Sequence, residues 1–531
     1  MLADRETVIP GKRYMVGASA GASVGLHASH SSDAIHHLPQ GTIVVCAEVA
    51  VGTDGGQRVR ISSPAGWLSA SALIVAKPAA PVKLDFDSFE KNHLKVAPGD
   101  RYGLDFPFTL DLLRAVGADF LTAAFRAAGT IASDNHVTAI VALEPLAVMG
   151  ASESAFLTVT YARPEPGLNM ELFVKFPPDK GVEYKYSLTA MSQGEIEIQN
   201  ILNMEDLSFS TARCYFGDYC SGTSNYMLIT ERIGFAQSPI EPAYRKGYDH
   251  LIPHVEDHYH ALTAALASLV AAHKTGALGY DIETIFPFGR AARDFDPISA
   301  PEVNIDRLID FVGRIAPQLF IPEASDPVFL QQWREDMLYG LLHKDRVNAY
   351  LHDDVDYVGL CHPNLNPDNA WFWRDDSGAL HLGLIDWGGA GQMSIAQALS
   401  GMLMMPIPEM YQSLVRDVIK TFISVYVDRG GVKLDPDTLL FHYKASVFST
   451  AISTIISFVV DMLFQFSEED YASMKDRHDS RLLDNGLYSA IVWIDNMLRD
   501  WADEITPGDA CRFIVGQDEE GRATARSGLF S

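Results

Sequence analysis

The amino-acid sequence predicts an α+β protein of several parts: a small all-β unit, a β-rich region entered through a helix, and a long helical region. Three observations carry this. Strand-length apolar runs broken by Gly and Pro crowd residues 11–73. Longer β-branched and aromatic runs occupy 137–148, 156–161 and 170–176. Beyond residue 258 the apolar residues recur mainly at helical spacing. A chain of 531 residues also exceeds one ordinary domain.

Taken in order, short strands are expected at 11–17, 22–26, 42–49, 57–61 and 66–73, with a turn at 36–41. Strands at that spacing suggest a β-barrel over 1–76. Lys77-Pro78-Ala79-Ala80-Pro81 opens a Pro-rich linker assigned to 77–103. Leu112, Leu113, Val116, Phe120 and Ala124 then mark a helix within 104–128. It leads into the three longer strands, with a turn at Gly150-Ala151-Ser152-Glu153-Ser154, and into a hairpin over 211–219 and 225–233. This helical lead-in and β-rich region spans 104–234. The helical region spans 235–505, with one helix set by Leu262, Ala265, Leu266, Leu269, Val270 and His273. A further series begins at 391–406 and ends near Trp501; residues 506–531 read as a loosely ordered tail.

The 68 acidic and 41 basic residues leave a net charge of −27, which argues against nucleic acid as the main partner. An acidic surface of that size keeps a protein soluble and would also attract cationic small molecules. Five scattered cysteines (Cys46, Cys214, Cys220, Cys361 and Cys511) suggest reduced thiols rather than a disulfide framework. The first residues carry Asp4, Arg5 and Glu6 and no apolar run, so no secretory signal is read. The apolar stretch 445–460 is shorter than a membrane span and interrupted by Ser and Thr, as a buried helix would be. A cytoplasmic protein with no membrane partner is expected. His254, His258 and His260 cluster around Glu256 and Asp257, but their spacing matches no metal motif.

The most informative stretch is Cys361-His362-Pro363-Asn364-Leu365-Asn366-Pro367-Asp368-Asn369. An aromatic strand over 369–373, a turn at Asp375-Asp376-Ser377-Gly378 and a second strand over 380–385 follow, and the run ends in Ile385-Asp386-Trp387. In phosphoryl transfer a catalytic-loop Asp receives the substrate hydroxyl proton, an Asn further along holds Mg²⁺, and a later Asp bridges metal to the nucleotide phosphates. Asn369 and Asp386 have the chemistry of the two metal ligands. Asn364 stands at the proton acceptor's position, and an amide takes no proton at neutral pH. The chain thus looks equipped to hold a nucleotide and poorly equipped to use it.

This loop resembles the His-Gly-Asp-x-x-x-x-Asn motif of the aminoglycoside phosphotransferase and choline kinase group, including its ecdysteroid-kinase-like branch. His362, Asn369 and Asp386 match the motif; Pro363 and Asn364 depart from it. The resemblance implies a two-lobed protein-kinase-like fold over roughly 104–500, with ATP and Mg²⁺ as cofactors. Lys175, in the apolar run Leu172-Phe173-Val174-Lys175-Phe176, falls at the position of the phosphate-contacting lysine. A lysine on a half-buried strand commonly snorkels to solvent, but a helix carrying Glu195 and Glu197 follows this one. Either carboxylate would orient Lys175; Glu195 is preferred because it lets the helix continue through Ile196, Gln199 and Asn200. Thr230-Glu231-Arg232-Ile233-Gly234 resembles the segment joining the two lobes, where backbone groups of Glu231 to Ile233 would meet an adenine edge.

Such proteins usually carry an Asp shortly after the metal strand to anchor the catalytic loop; 392–399 offers Ser394 and Gln397 instead. The first unit resembles a bacterial-type SH3 module through Leu38-Pro39-Gln40-Gly41-Thr42 and Gly66-Trp67-Leu68-Ser69. Trp67 would there be a docking aromatic or part of the packing. Two functions remain in contention. One is an ATP-dependent phosphotransferase with a small-molecule hydroxyl acceptor, slowed by Asn364. The other is a nucleotide-binding pseudokinase whose SH3-like arm binds a protein partner.

Overall fold

The computed structural model describes strands between residues 13 and 75, then residues 84–146, 152–178, 181–202, 207–278, 282–288, 301–448, 451–484 and 486–520. The Lys77–Pro81 linker, Gly150 and Ala151 of the expected turn, and the last eleven residues lie outside the described residues. The chain divides into two compact units. The first comprises Met1–Gly234, Gly276–Pro287 and Leu384–Ala390; the second comprises Phe235–Thr275, Phe288–Gly383 and Gly391–Ser531.

The first unit opens with β1 (Arg13–Val16), β2 (Ala22–Gly25), β3 (Ala34–Leu38), β4 (Ile43–Val51), β5 (Gln57–Ser62), β6 (Ala65–Ser69) and β7 (Leu73–Val75). They form one sheet in the order β3-β2-β6-β5-β4-β1-β7. The turn expected at 36–41 is corrected in part: His36, His37 and Leu38 belong to β3, which pairs antiparallel with β2. Backbone pairing across the sheet overrides the local polarity of two adjacent histidines.

The linker assignment 77–103 also needs correction. Phe86–Asn92 forms α1, capped by the Asp85 carboxylate, which accepts the Ser88 N–H at 2.8 Å. Phe89 is fully buried, and Asn225 donates to the carbonyls of His93 and Lys95. Farther on, the buried Asp218 carboxylate accepts the N–H groups of Arg101 and Tyr102, each at 3.0 Å. Burial raises its pKa to about 6 against the lowering effect of those N–H groups. Residues 84–103 are therefore packed structure, tied down by capping and buried hydrogen bonds that composition does not reveal.

A helix, a sheet and a second helix follow. Thr109 caps α2 (Leu110–Ala127), which is interrupted at Gly117, where φ is +63°. The strands are β8 (Val137–Pro145), β9 (Glu153–Tyr161), β10 (Glu171–Phe176), β12 (Cys214–Cys220) and β13 (Asn225–Glu231), in the order β12-β13-β10-β9-β8. Between them lie α3 (Val182–Ser187), α4 (Thr189–Leu202) and the two-residue strand β11 (Ser210–Thr211). Strand periodicity puts Leu172, Val174 and Phe176 of β10 in one core with Leu113, Leu121, Ala124 and Phe125 of α2. The alternate residue Lys175 points to the other face. There Ile196 of α4 packs on Tyr226 and Leu228 of β13, and Leu228 lies opposite Lys175 in register. A short helix, α6 (Ile282–Ile285), also belongs to this unit.

The second unit is mainly helical. It contains α5 (Val255–Lys274), α7 (Pro301–Asp310), α8 (Pro327–Leu342), α9 (Lys344–Asp353), α10 (Ile395–Met402), α11 (Tyr411–Asp428), α12 (Pro436–Ser446), α13 (Ala451–Thr454), α14 (Glu468–Ser473), α15 (Ser480–Asp484), α16 (Leu487–Trp501) and α17 (Pro507–Glu520). Its ribbon pairs β14 (Val358–Cys361) with β17 (Gly391–Ser394), and β15 (Ala370–Arg374) neighbours β16 (Leu380–Leu384). The stretch Pro436–Phe464 is long and apolar enough to cross a membrane by composition. Its Phe441, Ala445, Phe448, Ile452, Ile455 and Leu463 are instead buried in the unit's hydrophobic core, with Trp333, Ile491 and Trp501. The tail expected over 506–531 is corrected by α17, whose Ala510, Cys511, Ile514 and Val515 join that core. A narrow apolar stripe in a polar sequence is enough to dock a helix.

Helix α5 supports β14 through a partly buried histidine. The Leu360 N–H donates to His273 Nδ1 at 3.0 Å, which requires a neutral ring. Burial, with Lys274 adding to it, lowers the His273 pKa to about 4. An unfolded histidine binds its proton near pH 6.5. Below that value the unfolded chain takes up the proton first, so this contribution to stability falls as pH drops toward about 4. The stability lead of the parent protein over His273→Leu, measured by urea unfolding, should shrink between about pH 7 and about pH 4.5. A lead that stays constant across that range would contradict the neutral-histidine assignment.

Candidate functional site

In the first unit, Lys175, Glu195 and Asp386 come together. The Lys175 ammonium donates to Glu195 Oε1 at 2.7 Å and to Asp386 Oδ1 at 2.5 Å. Glu195 is buried beside Ile196, whereas the Asp386 side chain is half exposed. Burial opposes charge on Lys175, but Asp386 and Glu195 outweigh it and hold its pKa well above the ordinary value. Burial raises the Glu195 carboxyl, and Lys175 offsets only part of that rise. The choice between the two glutamates is thereby decided geometrically. Glu197 is two residues along and only partly buried, with its charge acting on Arg101.

Asp386 is held in an uncommon backbone conformation, with φ at +59°. A non-glycine residue there carries strain on the order of 1–3 kcal/mol, which surrounding contacts must offset. The contacts are visible. The Gly389 N–H donates to the Met191 carbonyl of α4 at 3.0 Å, and the Trp387 ring packs tilted against Phe209 with centroids 6.0 Å apart. A Cβ at Gly194 would lie 2.5 Å from the Ala390 carbonyl oxygen, so the segment following Asp386 lies directly on α4. One helix therefore supplies the carboxylate for Lys175 and the support for Asp386.

The second unit holds the predicted loop, and here His362, Asn364 and Asn369 converge. His362 is fully buried, and its Nδ1 accepts the Asn364 N–H at 3.2 Å. It shapes the loop from within and has no exposed surface for a substrate. Asn369 Nδ2 donates to the Asn364 carbonyl at 2.6 Å, which leaves its Oδ1 as the amide's acceptor. Oxygen donors of this kind suit Mg²⁺, which commonly takes one or two protein ligands and completes its shell with water and phosphate. Asn369 and Asp386 fit that chemistry, each within its own unit. Among the described residues no group of three or more His, Cys, Asp or Glu forms a metal cluster. The histidines near 254–260 are engaged separately, His258 with Glu241 and His260 with Thr421.

Sequence reading expected this loop to lack its anchor. The structure supplies one from Asn366, whose buried Nδ2 donates to the carbonyls of Gly401 and Met402 at 3.0 and 2.7 Å. A Cβ at Gly401 would lie 1.9 Å from the Pro363 carbonyl oxygen, so loop and α10 are in backbone contact. Lys246 was also missed: its ammonium lies 3.3 Å from Asn364 Oδ1 and 3.1 Å from Asn366 Oδ1. No local signal points to it, because 118 residues separate it from Asn364.

The expected adenine contact is narrowed. The Glu231 N–H donates to the Arg213 carbonyl, and its side chain accepts from Arg213 N–H and Asn169 Nδ2 at 2.8 Å each. That amide is therefore committed to the sheet edge. The Ile233 backbone makes no hydrogen bond among the described residues and is the better-placed candidate.

Two outcomes test these assignments. Gly401→Ala sets a new methyl against a backbone oxygen that cannot swing away, and should destabilise the protein by roughly 1–3 kcal/mol in urea unfolding. An effect below about 0.5 kcal/mol would place the loop elsewhere. Lys175→Met removes the cation beside a buried Glu195 and should lower stability more than Glu195→Gln, which leaves the Lys175 ammonium paired with Asp386. The reverse ranking, by the same measurement, would mean that Lys175 and Glu195 are not paired.

No family model matches the chain, and no curated protein matches it. Several solved structures do. A macrolide 2′-phosphotransferase of type I is 13% identical, covering 73% of this chain and 97% of its own, with a TM-score of 0.32. The GDP complex of an aminoglycoside 2′-phosphotransferase is 14% identical over 68% of this chain and 94% of its own, with a TM-score of 0.34. A choline kinase from Streptococcus pneumoniae is 14% identical over 66% and 94%, with a TM-score of 0.31. With TM-scores this low, the likenesses decide nothing about activity, which is argued from the side chains.

Proposed function

We propose that this chain binds a purine nucleoside triphosphate with Mg²⁺ and descends from small-molecule phosphotransferases that act on a hydroxyl acceptor. The observation that carries this is the joining of Lys175, Glu195 and Asp386. A lysine held charged by two carboxylates, one buried and one half exposed, suits phosphate neutralisation beside a metal-bridging Asp. Bound Mg²⁺ would supply charge neutralisation at the phosphates; Asp386 in the first unit and Asn369 in the second each have the donor chemistry to hold it. Ile233 would meet the base through its backbone. ATP is the expected nucleotide and a cytoplasmic setting the expected compartment.

Turnover is the second question. Asn364 cannot accept the hydroxyl proton, and loss of a general base lowers rate by about 10²–10⁴-fold. Phosphoryl transfer relies chiefly on positioning and charge, so a slow enzyme is physically allowed. A pseudokinase that binds nucleotide and docks a protein partner through its N-terminal sheet is the alternative, favoured by the ammonium of Lys246 beside Asn364.

Thermal unfolding with Mg–ATP and Mg–GTP tests the reading. The parent's melting temperature should rise with nucleotide, as it must for any ligand selective for the folded state. Lys175→Met and Asp386→Asn should each remove most of that rise, judged against each variant's own baseline. Equal shifts in parent and variants would refute the site. Release or transfer of labelled γ-phosphate, with and without hydroxyl acceptors, then separates slow enzyme from pseudokinase.

A further inference from the structure

A lysine ammonium can only donate hydrogen bonds, and this settles how the amide of Asn364 is turned. Lys246 Nζ faces Asn364 Oδ1 at 3.3 Å, Asn366 Oδ1 at 3.1 Å and Asp368 Oδ2 at 3.5 Å. The remaining groups of Asn364 are spoken for on the backbone side, its N–H by His362 Nδ1 and its carbonyl by Asn369 Nδ2. Its Nδ2 is the exception, with no hydrogen bond among the described residues on a side chain that is only partly buried. The lysine is itself held. Ser489 Oγ of α16 donates to its carbonyl at 2.7 Å, and the next residue, Gly247, has φ of +75° and would bring a Cβ within 2.5 Å of that same Oγ.

We infer that Lys246 is a positioning residue that holds the Asn364 amide with its N–H groups outward, so that the loop offers a donor to a phosphoryl oxygen where an active enzyme would deprotonate a hydroxyl. This rests on the nucleotide reading above. The position has thus changed from acceptor to donor, and the change involves two residues rather than one. A carboxylate placed at 364 would pair through one oxygen with Lys246 and turn the other, negative, toward the phosphate. Restoring the acid alone therefore weakens binding and does not restore a working base.

The test is Mg–ATP affinity by calorimetry and γ-phosphate turnover for the parent, Asn364→Asp, Lys246→Met and Lys246→Arg. Asn364→Asp should weaken Mg–ATP by about tenfold or more, as expected for a lost bond to a charged group, with no gain in turnover. Lys246→Met should weaken it several-fold, and Lys246→Arg, which keeps a donor at the amide oxygen, should retain affinity close to the parent's. The inference is overturned if Asn364→Asp binds as the parent does and turns over about 10²-fold faster, because the position is then an emptied base site. Unchanged affinity in Lys246→Met overturns it equally. Failure of the underlying reading looks different: the parent then binds neither Mg–ATP nor Mg–GTP, or binds them independently of Lys175. In that event a crystal structure of the ligand-free protein decides. Lys246 Nζ within about 3.5 Å of Asn364 Oδ1 sustains the positioning role, and a separation beyond about 4 Å ends it.

Discussion

The ammonium of Lys175 between two carboxylates is the interaction on which the first unit's site depends. Burying the charges of Lys175 and Glu195 is unfavourable unless they are satisfied, and here the arrangement demands correct placement of three separate elements. Strand β10 must present Lys175 away from the α2 core, which period-two alternation with Leu172, Val174 and Phe176 enforces. Helix α4 must lie on that same face, which Ile196 secures against Tyr226 and Leu228. The segment carrying Asp386 must then rest on α4, which the absence of a side chain at Gly194 permits. Each requirement is a packing condition, and the charges report whether all three are met.

Backbone contact does in the second unit what ion pairing does in the first. Gly401 lets the Pro363 carbonyl meet α10, and Asn366 fastens the loop to the last carbonyls of that helix. Those carbonyls lack partners within the helix and carry the negative end of its dipole, so an amide N–H is a suitable cap. The loop is thus held without the acidic anchor that sequence reasoning sought. Its geometry is well defined, and what it lacks is a proton acceptor at position 364. Structural order and chemical competence are separate properties of this loop.

Much of this was legible in the sequence, and the reason is local. The apolar run marked β10, the family resemblance singled out Lys175 within it, the hairpin after Asn369 was readable from its Asp-Asp-Ser-Gly turn, and the spacing from His362 to Asn369 to Asp386 pointed to the loop and the strand end. These are short-range patterns, set by strand and turn geometry within a few residues. The α+β class and the order of the β-rich and helical regions followed from the same patterns. Element boundaries were less legible. Residues 84–103 and 507–520 were misassigned because their order comes from Asn225, Asp218 and the apolar residues of the second unit's core, all distant in sequence.

The sequence by itself determined which residue types stand at the loop: an amide where a carboxylate would be, with a lysine, a glutamate and an aspartate retained elsewhere. Only the tertiary structure decided how they are used. It chose Glu195 over Glu197, because helix rotation buries one and leaves the other partly exposed toward Arg101. It buried His362, committed the Glu231 amide to the sheet edge, and brought Lys246 across 118 residues to the Asn364 oxygen. Hydrogen-bond direction is the physical reason for the difference. Composition states that an amide is present, but which of its ends faces outward is set by the partner that folding places behind it.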